Sequence, residues 1–128
     1  MEARAVRKHI RSAPKKVRTV INVVRGKSVP EALNILNFLP QEVTSTVKLT
    51  ILSAVHNLMD QNQDERIDED SLVVKEIKVD GGAAFKRFRP APRGRAFRIR
   101  KRTSHLTVVV GTPTSETSSE TEEADAEE

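Results

Sequence analysis

The 128-residue sequence contains no cysteine. That absence excludes disulfides and thiolate metal sites, and with them the small stapled folds of secreted chains. Long apolar runs are missing too, and none approaches the ~20 residues needed to cross a bilayer. No apolar signal segment follows Met1, because Glu2, Arg4, Arg7, Lys8 and Arg11 interrupt the start. A cytoplasmic protein with no membrane partner is expected. No phosphate-cradling loop, dinucleotide fingerprint or nucleophile–base pair is present. No cofactor is therefore expected, and the chain reads as non-enzymatic. Asp60, Asn62 and Asp64 mimic the start of a calcium loop, but Glu65 stands where glycine is needed and Ser71 where the closing glutamate is needed. His9, His56 and His105 lack metal-ligand spacing, so no metal site is expected.

Acid is missing from two long stretches: no Asp or Glu occurs from Arg4 to Lys27 or from Gly81 to Gly111. All 22 Lys and Arg lie between Arg4 and Arg102, against 11 acids in the same body, which therefore carries +11. After Gly111 come seven acids and no cation, giving the tail −7. Solubility is served better by mixed signs than by such blocks. A body this basic points to a polyanionic partner.

Short apolar patterns divide the body. Arg4 to Arg11 reads as a short strand with Val6 and Ile10 on one parity. Ser12 offers an N-cap with Pro14 in the first turn, and Val17, Val20, Ile21 and Val24 repeat at helical spacing until Gly26. Ser28 and Glu31 have the spacing of a capping box around Pro30. Ala32, Leu33, Leu36 and Leu39 line the helix that follows, and Pro40 stops it. A third helix is predicted from about Gln41 to Met59, with Val43, Val47, Ile51, Ala54, Val55 and Leu58 as its buried stripe. These stripes suffice for one core, so no homo-oligomer is expected.

Asp60 to Ser71 reads as a polar surface loop, and then the period changes. Leu72 to Val79 and Thr103 to Val110 both look like half-buried strands and natural antiparallel partners. Twenty-three residues separate Val79 from Thr103, too many for a structureless loop in a compact domain. The simpler expectation is that both strands continue outward as a two-stranded arm over about residues 80–104, with Pro90, Pro92 and Gly94 marking its tip. At ~3.3 Å per residue the arm would reach roughly 30–35 Å. Residues 112–128 lack large apolar side chains and are expected to be a disordered acidic tail.

Cations concentrate in two places. The first holds Arg4, Arg7, Lys8, Arg11, Lys15, Lys16, Arg18, Arg25 and Lys27. The second, in the arm, holds Lys86, Arg87, Arg89, Arg93, Arg95, Arg98, Arg100, Lys101 and Arg102. Seven of these nine arm cations are Arg, which forks onto phosphate oxygens and stacks flat on bases. Phe85, Phe88 and Phe97 also lie in the arm. Such rings can stack unpaired RNA bases or pack across the ribbon and stiffen it. His105 follows the basic run and could touch phosphate or serve strand pairing. The sequence leaves both alternatives open. An architectural DNA-binding protein is the competing class, since a proline-tipped basic arm can also enter a minor groove.

The stretch Gly94–Arg95–Ala96 through Lys101–Arg102–Thr103–Ser104–His105, running on into Leu106–Thr107–Val108–Val109–Val110, resembles the signature of the bacterial large-subunit ribosomal protein twenty-two family. Pro14–Lys15–Lys16–Val17–Arg18, Val24–Arg25–Gly26–Lys27, Glu31–Ala32–Leu33 and Lys86–Arg87 fit the same pattern. The resemblance covers residues 1 to about 111. It implies an α+β fold: three helices packed on a small antiparallel three-stranded sheet with a long extended β-hairpin arm. It also implies a structural constituent of the large ribosomal subunit that binds large-subunit rRNA beside neighbouring ribosomal proteins and assists early assembly. By position, rRNA would be held by Arg4, Arg7, Arg11, Lys15, Lys16, Arg18, Arg25 and Lys27 of the first cluster together with Lys86, Arg87, Arg98, Arg100, Lys101, Arg102 and His105. Phe88, Arg89, Pro90, Ala91, Pro92, Arg93, Gly94 and Arg95 would form a hairpin tip that lines the nascent-peptide exit tunnel. Gly81–Gly82 departs from the Gly–Pro pair common in the family, Ala54–Val55–His56–Asn57 replaces a more alanine-rich helix end, and the acidic tail is unusual.

Overall fold

A computed structural model describes residues 1–113. Its elements run β1 (Glu2–Ile10), α1 (Pro14–Val24), α2 (Val29–Phe38), α3 (Val43–Gln61), β2 (Val73–Pro90) and β3 (Ala96–Gly111). The strands form one antiparallel sheet in the order β1-β3-β2, which makes β3 the central strand. The expected α+β architecture of three helices, a three-stranded sheet and a long hairpin is the one the chain adopts. Beyond Pro113 the predicted acidic tail lies outside the described residues.

The helices follow their apolar spacing. Val17, Val20, Ile21 and Val24 are the buried face of α1, and Gly26 takes the left-handed conformation at φ 74 just past its end. Such a conformation costs glycine little, since it has no Cβ. In α3 every residue of the predicted stripe is buried, joined by Thr44 and Thr50. The caps differ from expectation. Ala13, not Ser12, is the cap residue of α1, and its carbonyl accepts from the N–H groups of Lys16 and Val17. Ser28 does cap α2, but without a side-chain bond: its backbone bridges to Val73, and Glu31 turns toward Lys27 at 3.7 Å.

The first strand corrects the parity assigned to it. Val6 is exposed and Ile10 is buried, while Ala3 and Ala5 are the other inward residues. Arg7 faces Leu106 and Ile10 faces Ser104, so β1 takes three steps against two on β3. This is a β-bulge, and the extra residue swaps the face on which side chains emerge. Within it His9 sits at φ 60, and its backbone N–H donates to Nδ1 of His105 at 3.1 Å.

A second bulge interrupts β2 between Gly81 and Ala84, opposite Ser104 to Arg102. Here a Cβ on Gly82 would lie 2.5 Å from Thr103 Oγ1 and 3.1 Å from the His105 ring. A side chain at 82 would therefore require Thr103 to shift. The two bulges flank the same short piece of β3, so the base of the arm is pinned from both sides.

The apolar core is aliphatic and lies between the helices and one face of the sheet. It includes Leu72, Val74, Ile77 and Val79 from the β2 side and Leu106, Val108 and Val110 from β3. None of its members falls between residues 80 and 105. All four phenylalanines are exposed, Phe38 on the body and Phe85, Phe88 and Phe97 on the arm.

Ser104 is buried beside the bulges, and its hydroxyl has no hydrogen-bond partner among the described residues. A buried polar group left unpaired costs about 1–3 kcal/mol. Ser104→Ala should therefore raise the melting temperature by several degrees, read by circular dichroism. A fall of that size would mean that the hydroxyl is satisfied in solution.

Candidate nucleic-acid interface

Beyond its bulge the arm is a regular ladder from Ala84↔Arg102 to Pro90↔Ala96. Directly paired residues share a face, and faces alternate along each strand. One face therefore carries Lys86 and Phe88 opposite Arg100 and Arg98. The other carries Phe85, Arg87 and Arg89 opposite Lys101, Ile99 and Phe97. Both faces are cationic, and each holds at least one aromatic ring.

No phenylalanine pairs directly with another. Their partners are Lys101, Arg98 and Arg89, and the rings are 41%, 73% and 60% exposed at Phe85, Phe88 and Phe97. Of the two readings left open, the geometry leaves much of each ring free for a stacking ligand. Lys86 stands directly opposite Arg100, and like charges so placed destabilise a strand pair. Among the described residues no arm cation is within ion-pairing distance of an acid. The ribbon therefore holds its charge uncompensated.

The tip closes through a backbone bond from the Ala91 N–H to the Arg95 carbonyl at 2.9 Å. Pro92 to Gly94 form a tight turn in which Arg93 (φ 62) and Gly94 (φ 69) both take left-handed backbone. Phe88, Arg89, Pro90, Pro92, Arg93, Gly94 and Arg95 are exposed, and Ala91 is half-buried.

The body cations divide by role. Arg4, Arg7, Arg11, Lys15 and Lys16 are exposed, with their charged ends bonded to no acid among the described residues. Arg18 and Arg25 also bond the fold through their guanidiniums, and Lys27 through its backbone carbonyl. β2 is an edge strand in the body, and bare edges invite mispairing. Here the edge is covered along its length. Val29 N–H donates to the Leu72 carbonyl (2.9 Å) and Val74 N–H to the Lys27 carbonyl (3.0 Å). The Arg25 guanidinium donates to the Ile77 carbonyl (3.0 Å) and that of Arg18 to the Val79 carbonyl (3.1 Å). Replacing both arginines by methionine keeps their apolar stems and removes these bonds. About 1 kcal/mol per bond should be lost in urea unfolding. If stability holds while only RNA affinity falls, these two arginines belong to the ligand surface.

His105 is half-buried, and its Nδ1 is taken by the His9 N–H; its ring also meets the His9 ring edge-on at 5.1 Å. The structure thus places it at the arm's root, where it holds the bulge. Two features escaped the sequence. The His9 bulge carries no glycine or proline signal. The approach of Arg11 to the Phe85 ring, 5.1 Å from its centroid, joins residues far apart in the chain.

Residues 5–111 match the family model described as ribosomal protein L22p/L17e. The large ribosomal subunit protein uL22 of Salinibacter ruber is 61% identical over 110 residues, covering 86% of this chain and 90% of that protein. The protein of the same name from Maridesulfovibrio salexigens is 50% identical over 110 residues, 86% of this chain and 97% of its own. That from Chlorobium limicola is 47% identical over 110 residues, 86% of this chain and 93% of its own.

Proposed function

Because this chain belongs to the ribosomal protein L22p/L17e family, we propose that it is a structural constituent of the large ribosomal subunit whose arm is sheathed by ribosomal RNA. The observation that carries this reading is the uncompensated charge of the arm. Nine cations stand on an isolated ribbon with like charges face to face and no acid to offset them. Two-stranded ribbons are marginal in water even without such repulsion. Surrounding phosphates remove the repulsion and turn it into binding energy through counterion release.

RNA also explains the rings better than a uniform duplex does. Exposed phenylalanines suit splayed bases, which single-stranded loops and bulges supply. The body anchors through Arg4, Arg7, Arg11, Lys15 and Lys16, which lie outside the edge-covering set. The hairpin tip, Phe88 to Arg95, has no core to pack on and reaches farthest from the body, which fits a role in lining the exit tunnel beside the nascent peptide. Binding of this kind early in assembly would let the arm organise RNA segments before they are enclosed. Phe38, 88% exposed at the end of α2, suits contact with a neighbouring ribosomal protein. The role is structural rather than enzymatic.

Sedimentation of a cell lysate through a sucrose gradient at moderate salt tests this reading. The protein should travel in one-to-one ratio with large subunits. Recovery on chromosomal DNA, with none in the ribosomal fractions, would instead establish the architectural DNA-binding alternative.

A further inference from the structure

Where the arm leaves the body, the two enclose a half-open cleft of about 680 Å³. That volume lies within the range of small-ligand pockets, roughly 300–1,000 Å³. One wall comes from the body, with Arg11 and Lys16. The other comes from the arm, with Phe85, Arg87 and Lys101, and Glu42 is the one acid in the lining. Guanidinium carbons of Arg11 and Arg87 lie 5.1 and 5.9 Å from the centroid of the Phe85 ring. Both distances are within the ~6 Å reach of a cation–π contact. A cluster of three flat groups assembled from body and arm thus lines a cationic recess.

The ligand chemistry follows from these groups. A flat ring and two flat guanidiniums recognise another flat, π-faced group. Lys16 and Lys101 recognise an anion. A paired helix presents phosphates but keeps its base faces stacked within. An unpaired nucleotide presents both at once.

We propose that this junction cleft seats a single unpaired nucleotide of RNA, its base stacked on the Arg11–Phe85–Arg87 cluster and its phosphate held by Lys16 and Lys101. The proposal rests on the reading that the arm binds RNA, and it assigns that binding a point of selectivity for unpaired over paired nucleotides. Because the cluster is assembled from both body and arm, an occupant also fixes the angle at which the arm projects.

The full chain is titrated against two labelled RNA hairpins that share one stem, one with a single-nucleotide bulge and one fully paired. The wild type should prefer the bulged RNA by about ten-fold. Phe85→Leu, at an exposed site outside the core, should retain the fold and the affinity for the paired hairpin but lose the preference. Phe85→Trp should keep it. Phe88→Leu, on the arm's opposite face, should also keep it. Equal binding of both hairpins by the wild type, or an undiminished preference in Phe85→Leu, would overturn the proposal while leaving RNA binding intact. Failure of the wild type to bind either hairpin would overturn both readings.

Discussion

Raising the salt concentration from 50 to 200 mM should weaken binding of the full chain to a large-subunit rRNA transcript by roughly 10³–10⁵-fold. The expectation follows from counting phosphate contacts. Each neutralised phosphate contributes a slope of about −0.9 on duplex and −0.7 on single strands in a plot of log affinity against log salt. The arm offers nine cations without an acidic partner among the described residues, and Arg4, Arg7, Lys8, Arg11, Lys15 and Lys16 of the body are exposed and equally without one. Six to ten contacts at once is therefore a modest demand. Arg18 and Arg25 are left out of the count because one N–H of each already donates to a strand carbonyl. A filter-binding or fluorescence titration across salt gives the slope directly. A slope shallower than about −2 would mean that the cations are not on phosphates, and the RNA-sheathed arm would have to be abandoned.

Cutting the arm away should separate folding from binding almost completely. Replacing Phe85–Lys101 by Asn–Gly closes the ladder at Ala84↔Arg102 with a turn suited to a tight hairpin. The apolar core takes no member from residues 80 to 105, so the shortened protein should melt within a few degrees of the parent. It loses eight of the 22 cations, and its RNA affinity at low salt should drop by about three orders of magnitude or more. Circular dichroism and the same titration report the two quantities side by side. Collapse of the fold in the shortened protein would show that the body leans on the arm for its stability. Unchanged affinity would move the whole interface onto the body.

Local signals were well written in the chain. The stripes of α1 and α3 are read from spacing alone, because a helix buries what recurs at three and four residues and nothing distant competes. The arm was legible by elimination, since a long acid-free gap between two strands of the same type has few other solutions. What escaped depended on partners remote in sequence. Val6 and Ile10 were placed on one parity because alternation was counted straight through His9. The bulge there is held by His105, and no local residue announces it. Arg18 and Arg25 looked like two more phosphate ligands. Only the sheet order, with β2 at the edge and α1 alongside, reveals the strand carbonyl to which each also donates. Ser12 and Ser28 have the right identity for caps, yet neither side chain bonds a helix N–H. At Ser28 a bridge to Val73 takes precedence. The junction cleft is legible only from the fold, since Arg11 and Phe85 belong to different segments and meet only once the arm is set against the body.

The continuity of β3 has a mechanical consequence. The strand runs unbroken from the turn at Ala96 to Gly111, paired with β2 for most of its length and with β1 as well once inside the body. A tug on the turn is therefore carried lengthwise along β3 into a region gripped on both flanks. The load is shared by many hydrogen bonds in parallel, so the tip can be pulled upon without the anchor being peeled open.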